Sequence, residues 1–350
     1  MDKEIINNLK VIYIDNLKTI VKKTVFVAGI CIVLSYPILP LICYFSPKTA
    51  QKIIFGFSTS KSNDLSNLKK NGIKSKGRNF YLQNQKGLRI GLYHIFPISS
   101  MFPFDKNNNT DKYFEEALKS LNDPIILYCH GIVGDRGKDS RVNIYNQMSC
   151  WNYHIITLDY FGFGDSDGDA SEELCVESIV IAVEYLYSFV RSNFFVWGHS
   201  FGTSVLLKAL NVLDAKGIVP LGCILESPFN NCYDSMKNDW KYIIYSWIPY
   251  IDNIMFKPII KNGFILNSSN YIQKVNCPIQ IFHAQDDYIV PVELCQDLYQ
   301  QAKDSNRDIE IKIFDEELGH ENIYKAKDLG EIVAKFESKC LNKRISQNRL

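Results

Sequence analysis

The stretch FFVWGHSFGTS at residues 194–204 decides the fold. Residues suited to a buried strand run into Ser200, which stands between Gly198 and Gly202, and a helix-like stretch follows at 203–214. Gly-x-Ser-x-Gly between a strand and a helix is the pattern of a nucleophile elbow, a strained turn that lifts the serine hydroxyl above the sheet edge. The helix N-terminus that follows favours negative charge developing there. We therefore predict that Ser200 is a catalytic nucleophile.

The chain beyond residue 77 alternates strand-like and helix-like segments, which predicts an α/β layer fold. Several strand-like segments are unbroken apolar runs, as expected of parallel strands that helices cover on both faces. The predicted strands are 87–96, 125–130, 154–160, 194–199, 222–227, 279–284 and 309–314, and the predicted helices between them include 172–192 and 203–214.

A nucleophilic serine needs a general base, and the base needs a carboxylate that orients it. In this kind of fold the partners follow the serine in the order Asp or Glu, then His. Only His320 lies late enough in the chain, in the loop ELGHEN after the last predicted strand. In FHAQDDYIVP the spacing Asp-x-x-Val-Pro favours Asp287 as the acid, with Asp286 as the alternative.

The loop YCHGIVGDRG at 128–137 follows a predicted strand, and its glycines allow backbone amides to face the site. We expect the amides of Ile132 and Phe201 to bind the oxyanion of the reaction. Arg136, Lys138 and Arg141 follow closely in the chain, and we expect one or more of them at the mouth of the site, where the guanidinium of Arg136 or Arg141 would hold an anionic head group. Solvation on the surface is the alternative for all three cations.

Composition excludes several classes of partner. Lys plus Arg number 39 against 38 for Asp plus Glu, and no basic run carries interleaved aromatics, so we predict no nucleic-acid partner. The ten cysteines are scattered without Cys-x-x-Cys or a His/Cys cluster, so we predict no metal site. The chemistry above needs no cofactor, and nothing in the sequence indicates an obligate protein partner.

The N-terminal region contains the apolar run VFVAGICIVLSYPILPLICYF at residues 25–45. Its length suits a membrane-spanning helix, which needs about 20 apolar residues, and exceeds the roughly 7 to 15 of a cleaved signal. We predict a cytosolic tail over 1–24, a single-pass anchor over 25–45 and a linker over 46–77. Slightly more lysines precede the run than follow it, which favours a lumenal or exterior position for residues 48–350.

Six motifs together resemble a known family. HGIVGDRG, LDYFGFGDSDG, WGHSFGTSV, CILESPFNN, HAQDDYIVP and GHENIY occur in the order and spacing of the α/β-hydrolase domain-containing protein 12 family. The similarity covers about residues 85–340, and the combination is far more specific than any one motif.

The resemblance implies an α/β-hydrolase fold with a mostly parallel central sheet, helices on both faces and a helical cap. It implies a membrane-anchored serine hydrolase acting on lysophosphatidylserine and monoacylglycerols, with lipid and bilayer as partners. Carried over by position, it implies Ser200 as nucleophile, Asp287 as acid and His320 as base. We expect the anchor in the endoplasmic reticulum membrane, with a lumenal catalytic domain over 78–345.

The chain departs from the family pattern at Ile132, Val133, Phe161 and Phe201, where the family usually has Asn, Ala, Arg and Leu. Because oxyanion donors are backbone groups, the changes bear on the choice of substrate. The predicted cap, 229–275, is rich in aromatic residues, which suit a membrane interface and equally suit the packed interior of a cap.

Two other functions stay open at this stage. A thioesterase or peptidase would use the same serine chemistry on this scaffold. A catalytically silent membrane adaptor is a different class of protein, and the presence of residues at all three triad positions argues against it.

Overall fold

A computed structural model of the chain describes residues 21–23, 38–46, 48–49, 55, 64–100, 111–119, 124–237, 240–243, 245–261 and 263–347. Within these ranges no helix is both long and apolar enough to cross a membrane. Most of the predicted anchor, residues 25–37, lies outside the described residues.

The centre of the molecule is an eight-stranded, mostly parallel sheet with the order β1-β2-β4-β3-β5-β6-β7-β8. The pairs β1–β2 and β2–β4 are antiparallel, and the remaining neighbours are parallel. The strands are β1 (Gly77–Gln83), β2 (Arg89–Ile95), β3 (Ile125–Cys129), β4 (His154–Leu158), β5 (Phe195–His199), β6 (Gly222–Glu226), β7 (Ile279–Ala284) and β8 (Ile309–Phe314).

Strands β2 to β8 correspond to the seven predicted segments, whereas β1 was not predicted. Strand β1 has the sequence GRNFYLQ, in which only Arg78 and Phe80 are buried. An edge strand with one solvent-exposed face lacks the continuous apolar run that is typical of the central parallel strands.

Helices cover both faces of the sheet. Tyr145 and Phe336, from helices on one face, belong to the same buried cluster as Trp197 of β5. Because side chains alternate along a strand, Val196 points to the opposite face, where the helices over 172–190 and 201–214 pack. The helices are α1 (Ile38–Phe45), α2 (Asp111–Lys119), α3 (Asp139–Cys150), α4 (Glu172–Val190), α5 (Phe201–Asp214), α6 (Cys232–Lys237), α7 (Trp240–Ile243), α8 (Ile251–Lys261), α9 (Ser268–Ile272), α10 (Val292–Asp304) and α11 (Leu329–Gln347).

Helix α4 shows how the local sequence sets a boundary. The side chain of Ser171 accepts a hydrogen bond from the amide of Leu174 at 3.2 Å, which satisfies one of the free amides of the first turn. Glu172 and Glu173 then place negative charge at the positive end of the helix dipole.

Part of the predicted linker over 46–77 packs on the hydrolase domain. Leu65, Leu68 and Ile73 are buried and belong to the core cluster that also contains Tyr145 of α3. Three apolar residues spaced among polar ones in a turn-rich segment carry no helix or strand periodicity. The sequence pattern therefore did not indicate that this segment packs on the domain.

The predicted cap, 229–275, divides between two compact units. One unit comprises residues 1–50 and 248–262, and within it α1 and α8 pack against each other. The other comprises 51–247 and 263–350 and contains the whole sheet. The cap aromatics also divide, because Tyr245 is buried whereas Trp247 and Tyr250 are 73% and 79% exposed.

Candidate active site

Ser200 lies at the turn between the end of β5 and the start of α5. Its backbone has φ 52° and ψ −122°, a region that residues other than glycine rarely adopt. The amide of Ser200 donates to the carbonyl of Glu226 at 2.8 Å, and the hydroxyl of Thr203 donates to the carbonyl of Ser200 at 2.6 Å. These bonds hold the strained turn on both sides.

The two glycines of the elbow serve close packing. A Cβ at Gly202 would lie 2.2 Å from the carbonyl oxygen of Cys129, and one at Gly198 would lie 2.9 Å from that of Gly202. The positive φ belongs to Ser200 itself, and the glycines allow the turn by leaving room for the neighbouring backbone. Their missing side chains let α5 start directly against the end of β3.

The three predicted triad residues form one hydrogen-bonded chain. The Ser200 hydroxyl donates to Nε2 of His320 at 2.8 Å, and Nδ1 of His320 donates to Oδ2 of Asp287 at 2.7 Å. The carboxylate accepts only, so Nδ1 carries the hydrogen and Nε2 is left free to accept the serine proton. This is the tautomer that a general base beside a nucleophile requires.

The two neighbouring aspartates have different partners. Oδ1 of Asp287 accepts from the amides of Ile289 at 3.0 Å and Val290 at 2.9 Å, while Oδ2 faces His320. Burial alone would raise the pKa of Asp287, but hydrogen bonds from His283 and His320 outweigh it and hold that pKa well below its usual value. The carboxylate is therefore charged at neutral pH.

Asp286 performs a different task. Its Oδ1 accepts from the amides of Leu318 at 3.3 Å and Gly319 at 2.9 Å, directly before His320. Asp286 therefore holds the backbone of the loop at 315–322, here called the histidine loop, whereas the imidazole of His320 contacts Asp287.

The predicted oxyanion donors lie beside the nucleophile. A Cβ built on Gly131 would be 3.5 Å from Cβ of Ser200, so the loop after β3 passes next to the serine, and Ile132 lines the same cavity. Phe201 is the first residue of α5, where amides have no intrahelical partner. Its ring packs edge-on against Tyr160, with centroids 5.8 Å apart, on the apolar side of the elbow.

Arg136 is not at the mouth of the site, contrary to expectation. Its side chain is fully buried, and its guanidinium donates to Asp159 and Asp165 while lying 4.7 Å from the centre of the Tyr93 ring. Burial alone would raise the pKa of Asp159, but the charge of Arg136 outweighs it and lowers that pKa. The ion pair is structural, because a buried guanidinium committed to carboxylates has no access to a substrate.

Arg141 also has a structural place, although it borders the cavity. Its guanidinium donates to the backbone carbonyls of Gly131, Val133 and Asp135, and its side chain is only 4% exposed. These bonds fix the loop that contains Ile132. The backbones of both arginines lie near the loop after β3, as their positions in the chain predicted. The direction in which each long side chain points depends on packing.

The cavity at Ser200 encloses about 110 Å³. Apolar groups of Ile132, Val133, Ile144 and Ile289 form part of its wall. The polar lining comprises Tyr128, Lys138, Ser140, Arg141, His199, Ser200, Glu226, His320, Glu321 and Tyr324.

Three charged groups line this cavity beside Arg141: Lys138, which the sequence offered together with the two arginines, and Glu226 and Glu321, which it did not. Lys138 and Glu321 form an ion pair whose side chains are 29% and 38% exposed, so the pair lies at the open end. Glu226 is buried at the end of β6. The sequence signal for Glu226 was a glutamate at the end of an otherwise apolar strand, at the sheet edge where Ser200 lies.

His199, the residue before Ser200, supports the loop that contains His320. Its Nε2 donates to the backbone carbonyl of His320 at 3.0 Å, and the two rings lie 5.1 Å apart. Burial, followed by the charge of His320, lowers the pKa of His199 to about 3. His199 is therefore neutral and adds no competing charge beside the base.

Solved structures of known enzymes have the same fold. An α/β-hydrolase from Vibrio vulnificus superposes with a TM-score of 0.61 at 14% identity, covering 83% of this chain and 94% of its own. An esterase from Pyrococcus furiosus gives a TM-score of 0.59 at 15% identity, covering 81% and 97%. At these identities the likeness shows the α/β-hydrolase fold alone.

Sequence comparison goes further. No family model matches the chain. Lysophosphatidylserine lipase ABHD12 of Rattus norvegicus is 35% identical over 268 residues, which cover 75% of this chain and 67% of the relative. The Danio rerio protein of the same name is 33% identical over 269 residues, covering 74% and 69%. Protein ABHD12B of Homo sapiens is 31% identical over 303 residues, covering 84% and 82%.

The relatives and the α/β-hydrolase architecture agree with the hydrogen-bonded Ser200, His320 and Asp287 at the sheet edge. The chain is a carboxylic ester hydrolase, and it belongs to the ABHD12 family.

Proposed function

We propose that this chain hydrolyses the ester bond of single-chain lipids, such as lysophosphatidylserine and monoacylglycerols, through an acyl-enzyme. The observation that carries the proposal is the continuous hydrogen-bonded chain from Ser200 through His320 to Asp287, which opens on a cavity with a partly apolar wall. The relatives' printed name, lysophosphatidylserine lipase, supports the lipid class.

In the first step, Oγ of Ser200 attacks the ester carbonyl while its proton moves to Nε2 of His320. The carbonyl oxygen becomes an oxyanion, which the amides of Ile132 and Phe201 stabilise by hydrogen bonds made where the charge develops. The tetrahedral intermediate then collapses, His320 returns the proton to the leaving alcohol, and the acyl group stays on Ser200.

In the second step, a water gives its proton to His320 and attacks the acyl-enzyme, which releases the fatty acid and restores the Ser200 hydroxyl. Asp287 keeps the imidazole in the required tautomer in both steps and stabilises the imidazolium that forms. Its lowered pKa supports this role, because the carboxylate stays charged when His320 becomes charged.

Lys138 is the cation that suits an anionic head group. Its stem passes Gly134, where an added Cβ would lie 3.3 Å from the lysine Cδ, and its ammonium pairs with Glu321 at the open end of the cavity. A phosphate entering there would replace an ion pair that solvent already weakens. Of the three cations that the sequence offered, Lys138 is therefore the one proposed for the head group, in place of Arg136 and Arg141.

The chain is also proposed to be anchored in a membrane by residues 25–45, with the hydrolase domain on the lumenal side of the endoplasmic reticulum. The support is the absence of any charged residue between Thr24 and Pro47 and the lysines that precede the run. Single-chain lipids leave bilayers readily, so an enzyme beside the membrane would meet them often.

Ser200→Ala should abolish covalent labelling by a fluorophosphonate and lower lipid hydrolysis by more than the roughly 10³-fold that loss of one oxyanion donor costs. The melting temperature should hold, because only a hydroxyl is removed. Ser204→Ala, a buried serine one turn along α5, is the matched control and should keep both label and activity. Labelling that survives in Ser200→Ala would place the nucleophile elsewhere, and faster turnover of acyl-thioesters or peptides than of lipid esters would favour the other hydrolase activities.

Asp287→Asn should lower kcat by about 10⁴, by analogy with serine proteases, because the amide favours the wrong imidazole tautomer. Asp286→Asn should cost much less, because an amide oxygen can still accept from the Leu318 and Gly319 amides. Steady-state kinetics with one monoacylglycerol would measure which of the two variants loses more kcat. Equal losses would show that the two carboxylates share the orienting role.

Lys138→Met keeps most of the length of the side chain but removes its charge and its ion pair with Glu321. We expect KM for lysophosphatidylserine to rise by about threefold to tenfold relative to KM for a monoacylglycerol, consistent with a partly exposed charge contact. Lys327→Met, an exposed lysine outside the cavity, serves as control. A parallel change on both lipids would instead indicate damage to the loop after β3.

The anchor is tested in cells by alkaline carbonate extraction and protease protection of sealed microsomes. The full chain should stay in the membrane pellet, and its hydrolase domain should be digested only after detergent is added. Release by carbonate would rule out a spanning anchor, and digestion without detergent would reverse the proposed orientation.

A further inference from the structure

Glu226 brings an acidic group into the interior beside the nucleophile. It is the last residue of β6, follows the apolar residues Cys223, Ile224 and Leu225, and is only 5% exposed. Its backbone carbonyl accepts from the amide of Ser200, so the residue is fixed next to the elbow. Glu226 also lines the cavity, and the steps of ester hydrolysis do not use its carboxyl.

The immediate surroundings leave the Glu226 carboxyl with spare capacity. Oε2 accepts one hydrogen bond from Nε1 of Trp197 at 2.8 Å, whereas a carboxylate has about four acceptor sites. Burial raises the pKa of Glu226 to about 7 against the opposing effect of Trp197, and the charges of Glu321 and Asp287 add to the rise. The indole of Trp197 supplies a hydrogen bond but no positive charge, so the carboxyl has acceptor sites to offer a cationic ligand.

The cavity has charges of both signs at different depths. The ammonium of Lys138 lies at its partly exposed end, and the carboxyl of Glu226 lies at a buried position. A volume of about 110 Å³ is several times the roughly 10–15 Å³ that one water needs, so a small polar group fits. An ammonium has three donors and a full charge, and it is the group that best matches a buried carboxylate with free acceptor sites.

We propose that Glu226 determines head-group specificity by binding the primary ammonium of an amino-containing lysophospholipid in this cavity. The proposal rests on the proposed lipid hydrolysis and deepens it. Lys138 receives the phosphate of the same head group, so one substrate satisfies both charges. An uncharged monoacylglycerol uses neither contact.

The first test changes the substrate and leaves the protein intact. Wild-type protein is given 1-oleoyl lysophosphatidylserine and its N-acetyl derivative, which has the same acyl chain, phosphate and carboxylate but no ammonium. We expect kcat/KM to be about tenfold to a hundredfold lower for the N-acetyl lipid, the range for loss of a hydrogen bond to a charged group. Equal kcat/KM for the two lipids would overturn the proposal.

The second test uses Glu226→Gln, which keeps an oxygen that accepts from Trp197 and removes the negative charge. The kcat/KM ratio of the two lipids should fall from its wild-type value to near one. Glu317→Gln, an exposed glutamate on the histidine loop, makes the same chemical change outside the cavity and should keep the wild-type ratio. If Glu226→Gln lowers kcat/KM equally on both lipids, its role is to pack against Trp197, and the ammonium site is refuted.

If Glu226→Gln does not fold, the comparison of the two lipids on wild-type protein still tests the ammonium site. The failure of the proposed function is distinguishable from the failure of this site. Wild-type protein that hydrolyses no lysophospholipid and no monoacylglycerol would refute lipid hydrolysis and the ammonium site together, whereas an unselective lipase would refute only the site.

Discussion

The backbone of Ser200 is the constraint on which the site depends. A non-glycine residue with φ 52° costs about 1–3 kcal/mol and persists only where its surroundings over-determine it. Here the surroundings are the strand pairing of β5, the bond from the Ser200 amide to Glu226, and the contact of Gly202 with the end of β3. The strain is useful because it lifts the hydroxyl out of the strand toward His320.

The other functional groups come to this turn because parallel strands end at one edge of the sheet. The loops after β3, β7 and β8 contribute the predicted oxyanion donor Ile132, the predicted acid Asp287 and the predicted base His320. A buried arginine also stabilises this arrangement through hydrogen bonds to the backbone, a role that a count of charged residues does not predict. Arg141 holds the loop after β3 by its carbonyls.

Two buried carboxyl groups near the nucleophile differ because of their donors. Asp287 accepts from two histidines and from backbone amides, which keeps it charged. Glu226 has the indole of Trp197, and burial beside other carboxylates raises its pKa to about 7. Environments that push two pKa values apart assign different tasks to chemically similar groups. Asp287 is suited to orient a base, and Glu226 is suited to receive a cation.

Much of the fold and of the candidate site could be predicted from local sequence patterns. Apolar runs indicated seven strands, Gly-x-Ser-x-Gly indicated the turn at Ser200, and chain order selected His320. Asp-x-x-Val-Pro selected Asp287 over its neighbour, and the structure gives the two aspartates separate partners. These features are encoded within a few residues or by order along the chain, so the sequence alone determined them.

The tertiary structure decided which long or charged side chains reach the cavity. Arg136, Arg141 and Lys138 occupy one short stretch, yet Arg136 turns into the core, Arg141 binds carbonyls and only the ammonium of Lys138 reaches the open end. The packing of residues 64–76 and the exposure of Glu226 to the cavity were likewise undetermined by pattern. A side chain with several rotatable bonds takes its direction from partners distant in sequence, and those partners are set only when the sheet and its loops assemble.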